Sequence, residues 1–214
     1  MAFEEYDEYE QGERVQQWLR QNGLSIVVGI AIGLVGIFGW GKWNDHKTAH
    51  QTDAANLYQQ VQVAVAGGKS DSADALTEQL TKDYTDTPYA MFAMSDRAER
   101  QVRAKQLDKA LESLAWAEAH ATDDNLKALV QMRIARVLLA QGKGAEALAA
   151  LDRMPAKSYE GVAQELRGDV LVKLGRPDDA RKAYEAAKLA MGESAPQSVQ
   201  MKIDDLAVAG KQGA

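Results

Sequence analysis

His46 and His50 stand four residues apart, a spacing that sets two imidazoles on one face of a helix where they could share a metal ion. Such a centre needs a third ligand. No HExxH motif is present, no further ligand follows at a suitable spacing, and the chain contains no cysteine, so the pair reads as part of a solvated helix. Gly68-Lys69-Ser70 has the ending of a phosphate-binding loop, but Val63 stands where the earlier glycine belongs and no strand precedes it; it reads as a turn. The acidic pairs Asp123/Asp124, Asp178/Asp179 and Asp204/Asp205 sit at helix starts or on polar faces, where capping and the helix dipole account for them. These patterns predict no enzyme, no metal and no cofactor. A net charge of -6 without a basic stripe argues against nucleic acid as a partner.

The strongest constraint lies elsewhere. Leu24 to Trp40, LSIVVGIAIGLVGIFGW, is an uncharged apolar run between Arg20 and Lys42. As a helix it reaches roughly 25 Å at about 1.5 Å per residue, close to what a bilayer core requires. Trp18 on one side, with Trp40 and Trp43 on the other, falls where headgroup boundaries would lie. An acidic start and the absence of a small-residue cleavage site predict a retained signal anchor rather than a cleaved leader. Gly29 and Gly33, continued by Gly36 and Gly39, have the spacing that lets a second membrane helix approach closely. Charge leaves orientation open, because Arg14 and Arg20 before the run are balanced by Lys42 and Lys47 after it.

The organisation that follows is an acidic tail over 1–23, an anchor over 24–43 and a helical domain over 44–214. Within that domain, Ala and Leu abound, and Gly or Pro joins polar residues at short intervals, predicting a series of helical hairpins. Aligning Ala110, Ala147 and Ala180 gives spacings of 37 and 33 residues, which bracket a tetratricopeptide unit. Upstream of each, Ala98, Ala135 and Gly168 provide the small residues where the first helix of a unit admits the second; downstream, Leu114, Leu151 and Tyr184 fill the interface. The extra length between the first two units is expected in the loop from Ala121 to Asn125. The fold class is therefore all-α: one transmembrane helix, then a tetratricopeptide-like solenoid. Its units fall at about 88–121, 124–154 and 161–191, with a capping helix over 198–208. Residues 53–84 read as a divergent amino-terminal cap, suggested only by Ala64, Ala73, Ala75 and Leu80.

Against this background particular runs become specific: Asp123-Asp124-Asn125-Leu126-Lys127-Ala128, Arg133-Ile134-Ala135-Arg136-Val137, Leu166-Arg167-Gly168-Asp169 and Met201-Lys202-Ile203-Asp204-Asp205-Leu206. Together with the acidic tail and single anchor they closely resemble the YfgM-type ancillary SecYEG translocon subunits, from Asn22-Gly23 to Leu206. The resemblance implies a single-pass protein of the bacterial inner membrane with a cytoplasmic amino terminus and a periplasmic tetratricopeptide-like domain. It also implies the SecYEG translocon and a PpiD-type membrane-anchored periplasmic chaperone as partners.

The repeat register places Phe92, Ser95, Glu99 and Val102 on the inner face of the first unit. Leu129, Met132, Arg136 and Leu139 follow in the second, and Val162, Glu165, Asp169 and Val172 in the third. As a groove, that face would hold an apolar segment of a nascent exported chain or of a chaperone. In so short an array the same residues also read as core under the carboxy-terminal helix. Two non-enzymatic functions compete: a membrane-tethered interaction module assisting export, and a signalling tether whose acidic tail sequesters a cytoplasmic response regulator.

Overall fold

With few prolines and few β-branched runs, a chain this rich in Ala and Leu has little alternative to helix. The computed structural model describes residues 3–155 and 159–212, with side chains described for 12–155 and 159–207. Among these residues there is no strand. The helices are α1 (Phe3–Ala66), α2 (Ser70–Asp83), α3 (Pro88–Arg103), α4 (Leu107–Ala119), α5 (Asp124–Ala140), α6 (Gly144–Asp152), α7 (Glu160–Lys173), α8 (Pro177–Met191) and α9 (Gln197–Gln212). The chain divides into two units between Thr52 and Asp53.

In the first unit α1 carries the apolar run unbroken. It is long and apolar enough to cross a membrane. Leu24, Val35, Ile37 and Phe38 are each more than 70% exposed, so protein packing does not supply the apolar surroundings that a buried helix of a soluble domain would have. Trp40 and Trp43 lie 5.4 Å apart at the end of the run, and the Lys47 ammonium stands 5.9 Å from the Trp43 ring. Of the acidic tail, Glu4, Glu5, Asp7, Glu8 and Glu10 fall outside the described side chains.

The second unit is built by repetition of one turn. After the first helix of each hairpin a residue enters the left-handed region: Gly68 (φ 70°), Lys105 (φ 61°), Gly142 (φ 77°) and Gly175 (φ 69°). Each turn makes the same two hydrogen bonds, 2.8–3.0 Å long, in which the left-handed residue and its successor donate to carbonyls three and five residues back. These bonds satisfy helix-end carbonyls that would otherwise be unpaired. Five residues after each turn comes a fully buried alanine: Ala73, Ala110, Ala147 and Ala180. Lys105 explains why a glycine-and-proline reading passes over this turn. A non-glycine residue holds the left-handed conformation there, at a strain of roughly 1–2 kcal/mol.

The turn at Gly68 reveals a further hairpin. Residues from Asp53 to Ala66 of α1 pair with α2 in the register of the later units, with Ala54, Leu57, Val61 and Ala64 buried against Ala73, Leu80, Ala90 and Ala93. Ala75, expected to contribute, is exposed. Two departures disguise the repeat: Val61 stands where later units carry Ala or Gly, and where they carry Leu or Tyr, α2 has buried Thr77, whose hydroxyl donates back to the Ala73 carbonyl at 2.7 Å. Asp74 ties α2 to α3, accepting from Arg100 at 2.6 Å with Arg97 at 3.4 Å.

A central core joins α3 to α7, with Leu114, Val130, Ala135, Leu151 and Val170 among its buried members. Burying a side chain such as Leu114 contributes about 1.5–3 kcal/mol. Pro88 and Pro177 open α3 and α8, where the missing N–H costs nothing, and the Asp123 carboxylate caps α5 by accepting from Asn125 and Leu126 N–H at 2.9 Å. The extra length between the first two units does not sit in the loop. It lengthens helix: α4 runs to Ala119, burying Ala117, whereas α6 stops at Asp152 and leaves Met154 beyond its end. Hydrogen-bonded helix with an apolar face gains more from the added residues than loop would.

The last hairpin crosses tightly at Gly168. A Cβ added to Gly168 would lie 2.3 Å from Tyr184 Cε1, and Ala98 and Ala135 occupy this position opposite Leu114 and Leu151 in the other units. Gly168→Ala is expected to destabilise the domain by about 1–3 kcal/mol in urea unfolding, and adding Tyr184→Leu, which restores the Ala/Leu pairing of its sister units, to recover part of that loss.

Candidate protein-binding site

The first helices of the hairpins present their inner-face positions differently in each unit. On α3, Phe92 is half-buried in an aromatic cluster, 6.1 Å from the Tyr58 ring and 6.4 Å from the Tyr89 ring. The Tyr58 hydroxyl donates to Asp96 at 2.7 Å, and Gln62 donates to the same oxygen. Burial first, and then the Asp96 carboxylate, raise the Tyr58 pKa. Ser95 is 3% exposed; Glu99 is exposed and accepts a hydrogen bond from Arg103; Val102 is half-buried.

On α5, Leu129 and Leu139 pack half-buried against the central core, and Arg136 is exposed. Met132 is 2% exposed, a core side chain rather than a groove lining. Ser95 holds the same place in α3 and is equally enclosed, whereas Glu165, in the same place in α7, is only half-buried.

On α7, Val162 and Val172 are exposed, but Glu165 and Asp169 are already occupied. Lys202 of α9 donates to Glu165 at 2.8 Å and to Asp169 at 2.7 Å, and the Tyr184 hydroxyl donates to Asp169 at 2.8 Å. With Val199 buried and Ile203 and Leu206 packed on the cluster around Leu171 and Tyr184, α9 caps this end. The run from Met201 to Leu206 marks Lys202 without giving it a role, which emerges only when α9 docks.

The expected groove is therefore not continuous. Glu99, Val102 and Arg136 do come together in one open cleft of about 330 Å³ between α3 and α5. Leu114, Ala98 and Val137 supply its apolar wall, and Ser95, Arg133 and Ala140 complete it. Sequence reasoning missed Arg133, although it precedes Arg136 by three residues and so shares its helix face. Gly29 and Gly33 lie in the other unit, where an added Cβ would meet no described atom within 4 Å. His46 and His50 remain on α1 beyond the apolar run. Among the described residues no group of three His, Cys, Asp or Glu side chains gathers as a metal-binding set.

The cap carries a pH signature. Burial works against the Lys202 ammonium, but hydrogen bonds and charge from Asp169 and Glu165 outweigh it and raise its pKa; burial and then Asp169 raise that of Tyr184. A raised folded-state pKa means stability that is complete below the ordinary values of 10.0 and 10.5 and is lost as pH climbs through the raised ones. The melting temperature is expected to hold up to about pH 10 and to fall as pH climbs above it, and Tyr184→Phe to flatten that fall without abolishing it, because the Tyr58 pKa is raised in the same way. Core and cleft separate by substitution: Met132→Asp should unfold the domain, at a cost above about 3 kcal/mol, while Arg136→Ala should change urea-unfolding stability by less than about 0.5 kcal/mol.

Known proteins match this arrangement along most of its length. The family model for a tetratricopeptide repeat-like domain matches residues 16–208. The chain is 32% identical over 203 residues to the ancillary SecYEG translocon subunit of Escherichia coli, covering 94% of this chain and 98% of that protein. Proteins of the same description from Haemophilus influenzae and Aggregatibacter actinomycetemcomitans are 26% identical over 200 residues and 27% identical over 192. The first alignment covers 94% of this chain and 98% of its relative, the second 90% and 94%.

Proposed function

Since this chain belongs to the family of the ancillary SecYEG translocon subunits, we propose that it is a non-catalytic accessory of the Sec translocon, held in the bacterial inner membrane by the apolar part of α1. The observation that carries the reading is the near-complete alignment with its relatives, which takes in the apolar helix as well as the hairpin domain. The amino terminus lies in the cytoplasm and the hairpin domain in the periplasm. Gly29 and Gly33 form the stripe of α1 on which a translocon helix packs. The α3–α5 cleft takes a segment of a PpiD-type membrane-anchored chaperone or of an exported chain as it emerges.

The mechanism is one of local concentration. A cleft of a few apolar side chains binds weakly by itself. Tethering beside the channel raises the effective concentration of each emerging segment to the order of mM, at which weak binding suffices to hand it onward. A single helix as anchor leaves the domain tied to the site of emergence.

Site-specific photo-crosslinking in cells tests this, with probes at Gly33 in the anchor and at Val102 in the cleft. Translocon adducts are expected at Gly33, and chaperone or nascent-chain adducts at Val102. The absence of adducts at both positions, in a protein shown to be folded and inserted, would overturn the reading.

A further inference from the structure

Most charges on the inner face of the hairpin domain are answered from within. Glu99 is paired with Arg103; Asp96 accepts from Tyr58 and Gln62; Glu165 and Asp169 share Lys202; Arg97 and Arg100 reach Asp74. Arg133 and Arg136 are different. Both line the cleft between α3 and α5, and neither forms an ion pair or a side-chain hydrogen bond with another described residue. They lie one helical turn apart on the same face, a like-charge arrangement that costs an isolated helix a few tenths of a kcal/mol. In a chain whose net charge is -6, this cleft sets two arginines against a single carboxylate, Glu99, which Arg103 already pairs, beside an apolar wall of Leu114, Ala98 and Val137.

We infer that the cleft selects acidic segments of a protein partner, Arg133 and Arg136 together holding a carboxylate while the adjoining apolar side chain enters against Leu114. The inference rests on the reading of this cleft as the partner-binding site. Guanidinium groups suit the task because their planar fork meets a carboxylate with two parallel hydrogen bonds, and partial burial of Arg133 strengthens them. The volume, about 330 Å³, is near the lower end of ligand pockets, so the cleft accommodates a short stretch of side chains and not a whole helix. An inorganic anion would answer the charge but leave the apolar wall open to water. A segment pairing an acidic with an apolar residue answers both.

The test uses the full chain in detergent micelles and two fluorescent peptides of identical Ala, Leu and Ser content, one bearing glutamates and the other lysines at the same positions. The glutamate peptide is expected to bind at least about tenfold more tightly, with affinity falling as salt is raised. Arg133→Ala with Arg136→Ala should erase the preference, and Arg133→Glu with Arg136→Glu should reverse it, with helicity by circular dichroism unchanged in both. Equal binding of the two peptides, a preference that survives charge reversal, or displacement of the glutamate peptide by an equimolar concentration of inorganic phosphate would each overturn the inference. Adducts at Val102 in cells distinguish the two levels. If they persist while peptide selectivity is absent, the partner site stands and acidic selection falls; if they too are absent, the partner site falls with it.

Discussion

Close approach of paired helices is the constraint on which the domain depends. In the three later hairpins two helices cross at small side chains, with Ala98 against Ala110's helix, Ala135 against Ala147's, and Gly168 against Ala180's, all buried. A crossing this tight fixes where the turn must fall, and the left-handed residue five positions before each anchor alanine is the result. It also fixes where large residues fit. Leu114, Leu151 and Tyr184 fill the space one turn beyond the anchor, and at the last crossing the fit is so close that only glycine leaves room for the tyrosine ring.

Tight pairing inside hairpins shapes what the inner face can offer. Side chains in the middle of the first helices are drawn into the core, as with Ser95 and Met132, while longer charged residues at neighbouring positions reach the surface. At the carboxy-terminal end α9 packs its apolar residues on α8 and sets Lys202 over Glu165 and Asp169, closing that portion of the face. What remains open is the α3–α5 cleft, apolar in its wall and cationic at Arg133 and Arg136. A binding surface in this domain is thus what packing and capping leave over, and its charge follows from which ion pairs the neighbouring helices have already made.

The anchor obeys a different solvent. Within α1 the same backbone carries exposed Leu, Ile, Val and Phe over one stretch and buried Ala54, Leu57, Val61 and Ala64 over the next. Hydrogen bonding is internal throughout, so the helix needs no change of backbone when its surroundings change from lipid to water and protein. No glycine-proline signal interrupts it between Trp43 and Ala66, and none is required.

Periodicity and composition alone determined the all-α class, the apolar helix and the register of Ala110, Ala147 and Ala180, because each depends on the order of residue sizes and polarities along one chain. They also marked Glu99, Val102 and Arg136 as inner-face residues, since helical spacing assigns faces without knowledge of neighbours. The turn at Lys105 escaped, because lysine stands there for glycine, and the hairpin over 53–84 was legible only as a divergent cap, because threonine stands for leucine in α2. Only the tertiary structure decided that Met132 is core, that Lys202 covers Glu165 and Asp169, and that Arg133 completes the cleft. The physical reason is that a face is a property of one helix, whereas burial and ion pairing are properties of whichever helices come to lie against it.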